Sequence, residues 1–261
     1  MKDIFFLRFS LWRSCAMLKE NEFDFKEFLP KSDKEISDFI SYCESEQEEA
    51  AQILKIAFGE QAEVFKDKKI LFIGDSITQD RRGYRGIITK FLGIQSKSVA
   101  FSGATSTDML RESYNVISSE KPDIVSLMVG TNDVFFMDKE KTINIVSMTE
   151  YQKNVRAILS CAKQNGAKII VGSIPPMHEE KVKNHNSSVK KYNSNENICN
   201  YNKILKQEIT QSGAYCIDTY TPIIGNSWCF EPDGVHLSPS GHKILAKMWA
   251  ETILKMIQEA Q

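Results

Sequence analysis

From Lys69 onward, five short runs rich in β-branched and other apolar residues alternate with longer stretches whose apolar positions recur at helical spacing. The runs are "KILFIG", "SKSVAF", "PDIVSLMVG", "AKIIVGSIPP" and "GAYCID", and they read as strands. The stretches around Arg85–Leu92, Ser106–Ser119, Thr149–Asn165, Asn197–Ser212 and Pro239–Ile257 read as helices. Strictly alternating strands and helices imply parallel strands joined by right-handed crossovers, with helices on both faces. The expected fold class is therefore α/β, a three-layer α/β/α sandwich around a five-stranded parallel sheet. Ligands of such sheets bind beyond the carboxyl ends of the strands. The turns that follow each strand are where chemistry is to be sought.

Residues 1–68 do not share this rhythm and are expected to form a mainly helical N-terminal extension, with 69–261 as the main domain. In "SDKEISDFISYCESEQEEAAQILKIAF", Ser32 and Glu35 have the spacing of a capping box, and Ile36, Phe39, Ile40 and Cys43 share one helical face. Upstream, "IFFLRFSLWR" fits a strand or a helix equally well, and Phe23, Phe25, Phe28 and Leu29 follow it. So many aromatic side chains would not stay in water, so the extension is expected to pack on the main domain or on a second subunit, as in a homo-oligomer.

Composition narrows the class of function. The 261 residues carry 33 basic and 34 acidic side chains, which gives neither the basic footprint of a nucleic-acid binder nor the bias of a disordered chain. The six cysteines contain no C-x-x-C pair, so neither a zinc site nor a disulfide framework is expected, and a reducing, cytoplasmic compartment fits. Asp3, Arg8 and Arg13 interrupt the apolar start, so no leader peptide is expected, and no window is apolar enough to span a bilayer or to require membrane association. The polar stretch Met177–Asn197 leaves the fourth strand and has the length of a lid or of a disordered loop.

Four of the turns after strands carry reactive groups: "GDSIT", "FSGATS", "GTND" and, after the last strand, "PDGVHLSPSGH". A serine hydroxyl is a weak nucleophile until a base lies within hydrogen-bond reach and a third group orients that base. Ser76 would be the nucleophile, His236 the base, and Asp233, three positions earlier, the group that holds the imidazole. Attack on an ester carbonyl creates an oxyanion. The backbone N–H groups of Ser76 and Gly103 and the side-chain amide of Asn132 are its candidate donors, Gly103 because the lack of a Cβ lets the backbone come close. Each piece has a plainer reading: Ser76 as a helix cap, Gly103 as a turn glycine, Asn132 and Asp133 as turn residues, Ser238-Pro239 as a helix start. Their conjunction, each after its own strand, favours the catalytic one.

These four blocks resemble the SGNH hydrolases, also called GDSL-type esterases and acylhydrolases. "GDSIT" matches the first block with Ser76, "SGATS" the second with Gly103, "GTND" the third with Asn132, and "DGVHL" the last with Asp233 and His236. The resemblance covers Lys69 to Gln261. It implies a flavodoxin-like SGNH fold and a serine esterase or acylhydrolase without cofactor, with a small-molecule ester as its partner, such as a carbohydrate O-acetyl ester or a lysophospholipid. The second block departs from the family's N-x-G-x-S-G, which touches the support of the loop more than the donor.

Other chemistries fit less well. The first turn lacks the lysine of a phosphate-binding loop, and a magnesium site built on Asp75, Asp133 and Asp233 would leave Ser76, Asn132 and His236 without roles, so no metal is expected. "RRGYR", Arg81–Arg85, reads as a solvated helix start, the lesser alternative being that one of its arginines meets an anionic substrate. Phe101, Phe135, Phe136 and Met137 lean toward an apolar acyl pocket, while the polar stretch Met177–Asn197 leans toward a small or sugar-borne acyl group. The alternative from another class is a catalytically silent module that docks a partner through its N-terminal helices.

Overall fold

In the first strand, β1 (Lys69–Gly74), every residue after Lys69 is buried. Such a run can only sit at the centre of a sheet covered on both faces. In the computed structural model, which describes residue 8 and residues 32–62, 65, 67–185 and 192–259, β1 is indeed central. It pairs in parallel with β2 (Gln95–Ala100) on one side and β3 (Ile124–Met128) on the other, and β4 (Lys168–Gly172) and β5 (Tyr215–Ile217) continue the sheet in the order β2-β1-β3-β4-β5. The chain runs from β1 outward to β2 and then back across to β3. This reversal opens a crevice at the carboxyl ends of β1 and β3, where sheets of this kind bind ligands.

Eight α-helices are described: α1 (Asp33–Ala62), α2 (Ser76–Gln79), α3 (Tyr84–Leu92), α4 (Ser106–Glu120), α5 (Met148–Gln164), α6 (Glu179–Asn184), α7 (Asn195–Ser212) and α8 (Pro239–Gln258). Alternate residues of β1 feed two separate cores. Ile70 and Phe72 meet α3 and α8 through Tyr84 and Trp249, while Leu71 and Ile73 meet α4, α5 and α7 through Met109, Tyr151 and Tyr201. Trp249 is fully buried, and its indole N–H donates to Ser126 Oγ at 2.8 Å, which fixes α8 to the middle of β3. Truncating a side chain of that size in a core costs about 3–5 kcal/mol.

Helix α1 begins at the expected capping box: Ser32 N–H donates to Glu35 and Glu35 N–H donates to Ser32 Oγ. Its apolar residues Ala50, Ala51 and Leu54 join the core of the first face, against α3 and α8. The expected aromatic cluster Phe23, Phe25, Phe28 and Leu29, and all of "IFFLRFSLWR" except Arg8, lie outside the described residues.

Three expectations need correction. The stretch Met177–Asn197 contains the helix α6, with residues 186–191 outside the described ones. "RRGYR" is not solvated: Tyr84 is completely buried beside Trp249, with ring centroids 4.5 Å apart, and Arg82 is ion-paired to Glu231 at 2.6 Å. Phe101 and Phe135 are buried in the core of the second face, in one cluster with Met109 of α4 and Tyr151 of α5. Among the described residues no helix is long and apolar enough to cross a membrane, and all described cysteines are free thiols.

Candidate active site

The turn after β1 is set by close packing. A Cβ on Gly74 would lie 2.2 Å from Thr78 Oγ1 and 2.5 Å from the Met128 carbonyl, so only glycine lets α2 sit directly on the end of the strand. The cap of α2 is Asp75, whose Oδ1 accepts from Ile77 N–H at 3.0 Å. Capping is therefore not the task of Ser76. Its hydroxyl instead lies 3.0 Å from His236 Nε2.

His236 is in turn held by Asp233. Asp233 Oδ2 is 2.5 Å from Nδ1, and its Oδ1 accepts the backbone N–H groups of Val235 and His236, both at 2.9 Å. Burial works against a charge on Asp233, but the bond and charge of His236 and the two backbone donors outweigh it and hold the carboxyl down at about 2. At neutral pH the carboxylate accepts, so Nδ1 carries the proton and Nε2 is free to accept the Ser76 O–H. The three groups form one directed chain.

The other expected residues stand across the crevice. β2 and β3 flank β1 in register, Ala100 and Met128 both opposite Gly74, so the turns that bear Gly103 and Asn132 leave the sheet on either side of the one that bears Ser76. The Asn132 amide spends one N–H on the Ala104 carbonyl at 2.9 Å, which couples it to the Gly103 turn and leaves its second N–H for another acceptor. Among the described residues the backbone N–H groups of Ser76 and Gly103 donate to no protein acceptor. For Gly103 the physical reason differs from the expected one. A Cβ there would meet nothing within 4 Å, but φ is +79°, a left-handed conformation that side chains other than glycine rarely adopt.

Behind these donors sits Asp133, completely buried and accepting the Ser106 N–H with both oxygens at 3.0 Å. Burial, opposed by Ser106 and reinforced by the charge of Asp75, pushes its carboxyl up to about 6. Burial also drives the Asp75 carboxyl upward, against hydrogen bonds from Thr131 and Ile77. Asp75, Asp133 and Asp233 do not converge, and among the described residues no cluster of three or more His, Cys, Asp or Glu could hold a metal ion.

A second buried group escaped the sequence reading. Asp80 closes α2 and contacts His242 Nε2 at 3.1 Å and the guanidinium of Arg8. His242 was expected merely on a helix, and Arg8 lies in the N-terminal stretch. No local pattern marks a pair 72 positions apart or one 162 positions apart.

A family model described as GDSL-like lipase/acylhydrolase matches residues 72–244. An acetylxylan esterase from Geobacillus stearothermophilus is 28% identical over 218 residues, which cover 71% of this chain and 94% of the relative. Among solved structures, a mutant of an acetyl-xylooligosaccharide esterase from the same organism is 25% identical with a TM-score of 0.57, covering 72% of this chain and 94% of its own. A lipase/acylhydrolase from Enterococcus faecalis, 17% identical, has the same fold with a TM-score of 0.60, covering 72% of this chain and 96% of its own.

Proposed function

Because the chain belongs to the GDSL-like lipase/acylhydrolase family and is an ester-bond hydrolase, we propose that it removes a short acyl group, acetyl above all, from a carbohydrate hydroxyl through an acyl-enzyme on Ser76. The observation that carries the mechanism is the hydrogen-bonded chain from Ser76 Oγ through His236 to Asp233. His236 Nε2 takes the Ser76 proton as Oγ attacks the ester carbonyl, and Asp233 steadies the imidazolium that forms. The oxyanion is met by the backbone N–H groups of Ser76 and Gly103 and by the Asn132 amide. His236 returns the proton to the departing sugar oxygen. A water molecule, deprotonated by the same nitrogen, then attacks the acyl-enzyme and releases the carboxylic acid with Ser76 restored.

The preference for a small acyl group on a sugar is supported by the relatives named acetylxylan and acetyl-xylooligosaccharide esterase, whose solved structures include catalytic mutants at a serine and at a histidine. Phe101 and Phe135, two of the four residues expected to lean toward an apolar acyl pocket, are packed in the core.

Turnover of p-nitrophenyl acetate, p-nitrophenyl palmitate and an acetylated xylooligosaccharide tests both parts. The expected result is hydrolysis of the first and third, with a fluorophosphonate adduct mapped to Ser76 and neither turnover nor adduct in Ser76→Ala. Preference for the palmitate would overturn the substrate class. An adduct elsewhere, or turnover surviving in Ser76→Ala, would overturn the mechanism.

A further inference from the structure

A carboxylate taken out of water must be matched by a cation or give up its charge. Asp80 is 1% exposed. Burial opposes its charge, yet the hydrogen bond from His242 and the guanidinium of Arg8 hold its carboxyl well below the usual carboxylate range. The hydrogen bonds of His242 identify which neighbour carries the positive charge. His242 Nδ1 accepts the Tyr84 N–H at 3.3 Å, so that nitrogen bears no proton, and Nε2–H donates to Asp80 at 3.1 Å. His242 is thus the neutral tautomer, and Arg8 is the cation that matches Asp80.

The same guanidinium contacts residues bonded to both halves of the catalytic chain. On the nucleophile side, Arg8 Nε lies 3.3 Å from Asp80 Oδ1 and Nη2 bonds Oδ2, while the Asp80 N–H donates to the Ser76 carbonyl at 2.9 Å. On the histidine side, Nη2 reaches the carbonyl of Leu237 at 3.4 Å and Nη1 the carboxylate of Glu231 at 3.4 Å. Leu237 follows His236 directly, and the Glu231 N–H donates to the His236 carbonyl at 2.8 Å. Arg8 therefore ties the turn that ends the Ser76 helix to the hairpin that carries His236. It comes from a stretch that lies before the matched residues 72–244.

We propose that Arg8 is a positioning residue: by bridging Asp80 to Leu237 and Glu231 it sets the separation of Ser76 and His236, so this residue from outside the matched domain is part of the catalytic unit. The proposal rests on the reading of Ser76 and His236 as nucleophile and base. Rate is steeply sensitive to such a separation, a misplacement of about 1 Å costing roughly 10²-fold.

The test uses full-length protein and p-nitrophenyl acetate. Arg8→Ala should lower kcat by roughly 10- to 10²-fold with KM within about twofold, because positioning acts on the transition state and not on uniform binding. Arg8→Lys should recover only part of the loss, since a point charge cannot serve Asp80, Leu237 and Glu231 together. Millimolar guanidinium should raise kcat of Arg8→Ala. Arg8→Ala leaves Asp80 uncompensated and can unfold, so it is paired with Arg8→Ala/Asp80→Asn, which removes the orphan charge. The double variant should melt close to the parent yet stay slow. A double variant with parental kcat, or a loss in any of these variants that resides in KM, would overturn the proposal and leave Arg8 a counterion only. Ser76→Ala run in parallel separates the two readings: if it stays active the nucleophile assignment fails, whatever Arg8 does.

Discussion

The two flanks of Ser76 are held by opposite electrostatic means. On the Asn132 side the supporting carboxyl, Asp133, is sealed in the core against backbone donors, and burial lifts it to about 6. On the His236 side the supporting carboxylates, Asp233, Asp80 and Glu231, face cations or donors, and Asp233 stays ionised down to about 2. On the Asn132 flank the carboxyl is held by burial and backbone donors, with no cation beside it among the described residues. The His236 flank is built from charged groups paired with one another, which under the proposed mechanism would suit an imidazolium that forms and is discharged in each turnover. The buried carboxyls Asp133 and Asp80 thus differ in their partners, backbone donors for the first and a guanidinium for the second, and so shift in opposite directions.

The sharpest way to break this contrast is at the charged flank. Asp233→Asn keeps the shape of the side chain but loses the carboxylate that fixes the imidazole tautomer, and kcat should fall on the order of 10³- to 10⁴-fold. His236→Ala should cost at least as much, and the double variant little more than the worse single one, because members of one catalytic chain are not additive. Additive losses in steady-state kinetics would mean that another carboxylate orients the base.

On the opposite flank, Asn132→Ala removes one donor and should reduce kcat by about 10²- to 10³-fold while KM stays nearly constant. A rise confined to KM would make Asn132 a substrate-binding residue and erase the distinction between the flanks.

The smallest effect separates the flanks by pH. Asp133 has a folded value raised from its ordinary 3.8 to about 6, so its contribution favours the fold fully below 3.8 and is lost as pH rises through 6. Asp233 has the opposite sign, with stability present above 3.8 and lost as pH falls through about 2. Asp133→Asn retains an acceptor for the Ser106 N–H and should flatten the decline in unfolding free energy between about pH 4 and 6, by roughly 3 kcal/mol at most. A slope that persists in denaturant titrations of the variant would place the responsible proton elsewhere, Asp75 being the neighbour with the same sign.

Much of this was legible before any coordinates. The apolar runs mark the central strands β1, β3 and β4, nearly all of whose residues are buried, while the half-polar edge strand β2 and the short β5 were legible from the alternation of strands with helices, and the turns after the strands bear Ser76, Gly103, Asn132 and His236. What the chain could not disclose alone depends on tertiary burial. Nothing near Tyr84 signals that the arginine-rich turn around it tucks beneath Trp249, and nothing near Asp80 signals Arg8 or His242. Phe101 and Phe135 carry the same composition whether they line a pocket or fill a core, and only the packing of α4 and α5 decides. Local periodicity records which face of an element is apolar. It does not record what that face meets.

The serine and the histidine that accepts its hydrogen bond are 160 positions apart, and α8, which starts just after that histidine, shares its core with α1 near the other end of the sequence. Contacts so distant along the chain close late and slow folding. For a chain emerging from the ribosome, the consequence is one of timing. Ser76 is synthesised, and its sheet partners β2 and β3 are available, long before His236, Asp233 or the helix that seals the Tyr84 face exists. A product interrupted before residue 233 would carry Ser76 without the histidine that accepts its hydrogen bond and with one side of its sheet bare, open to proteolysis.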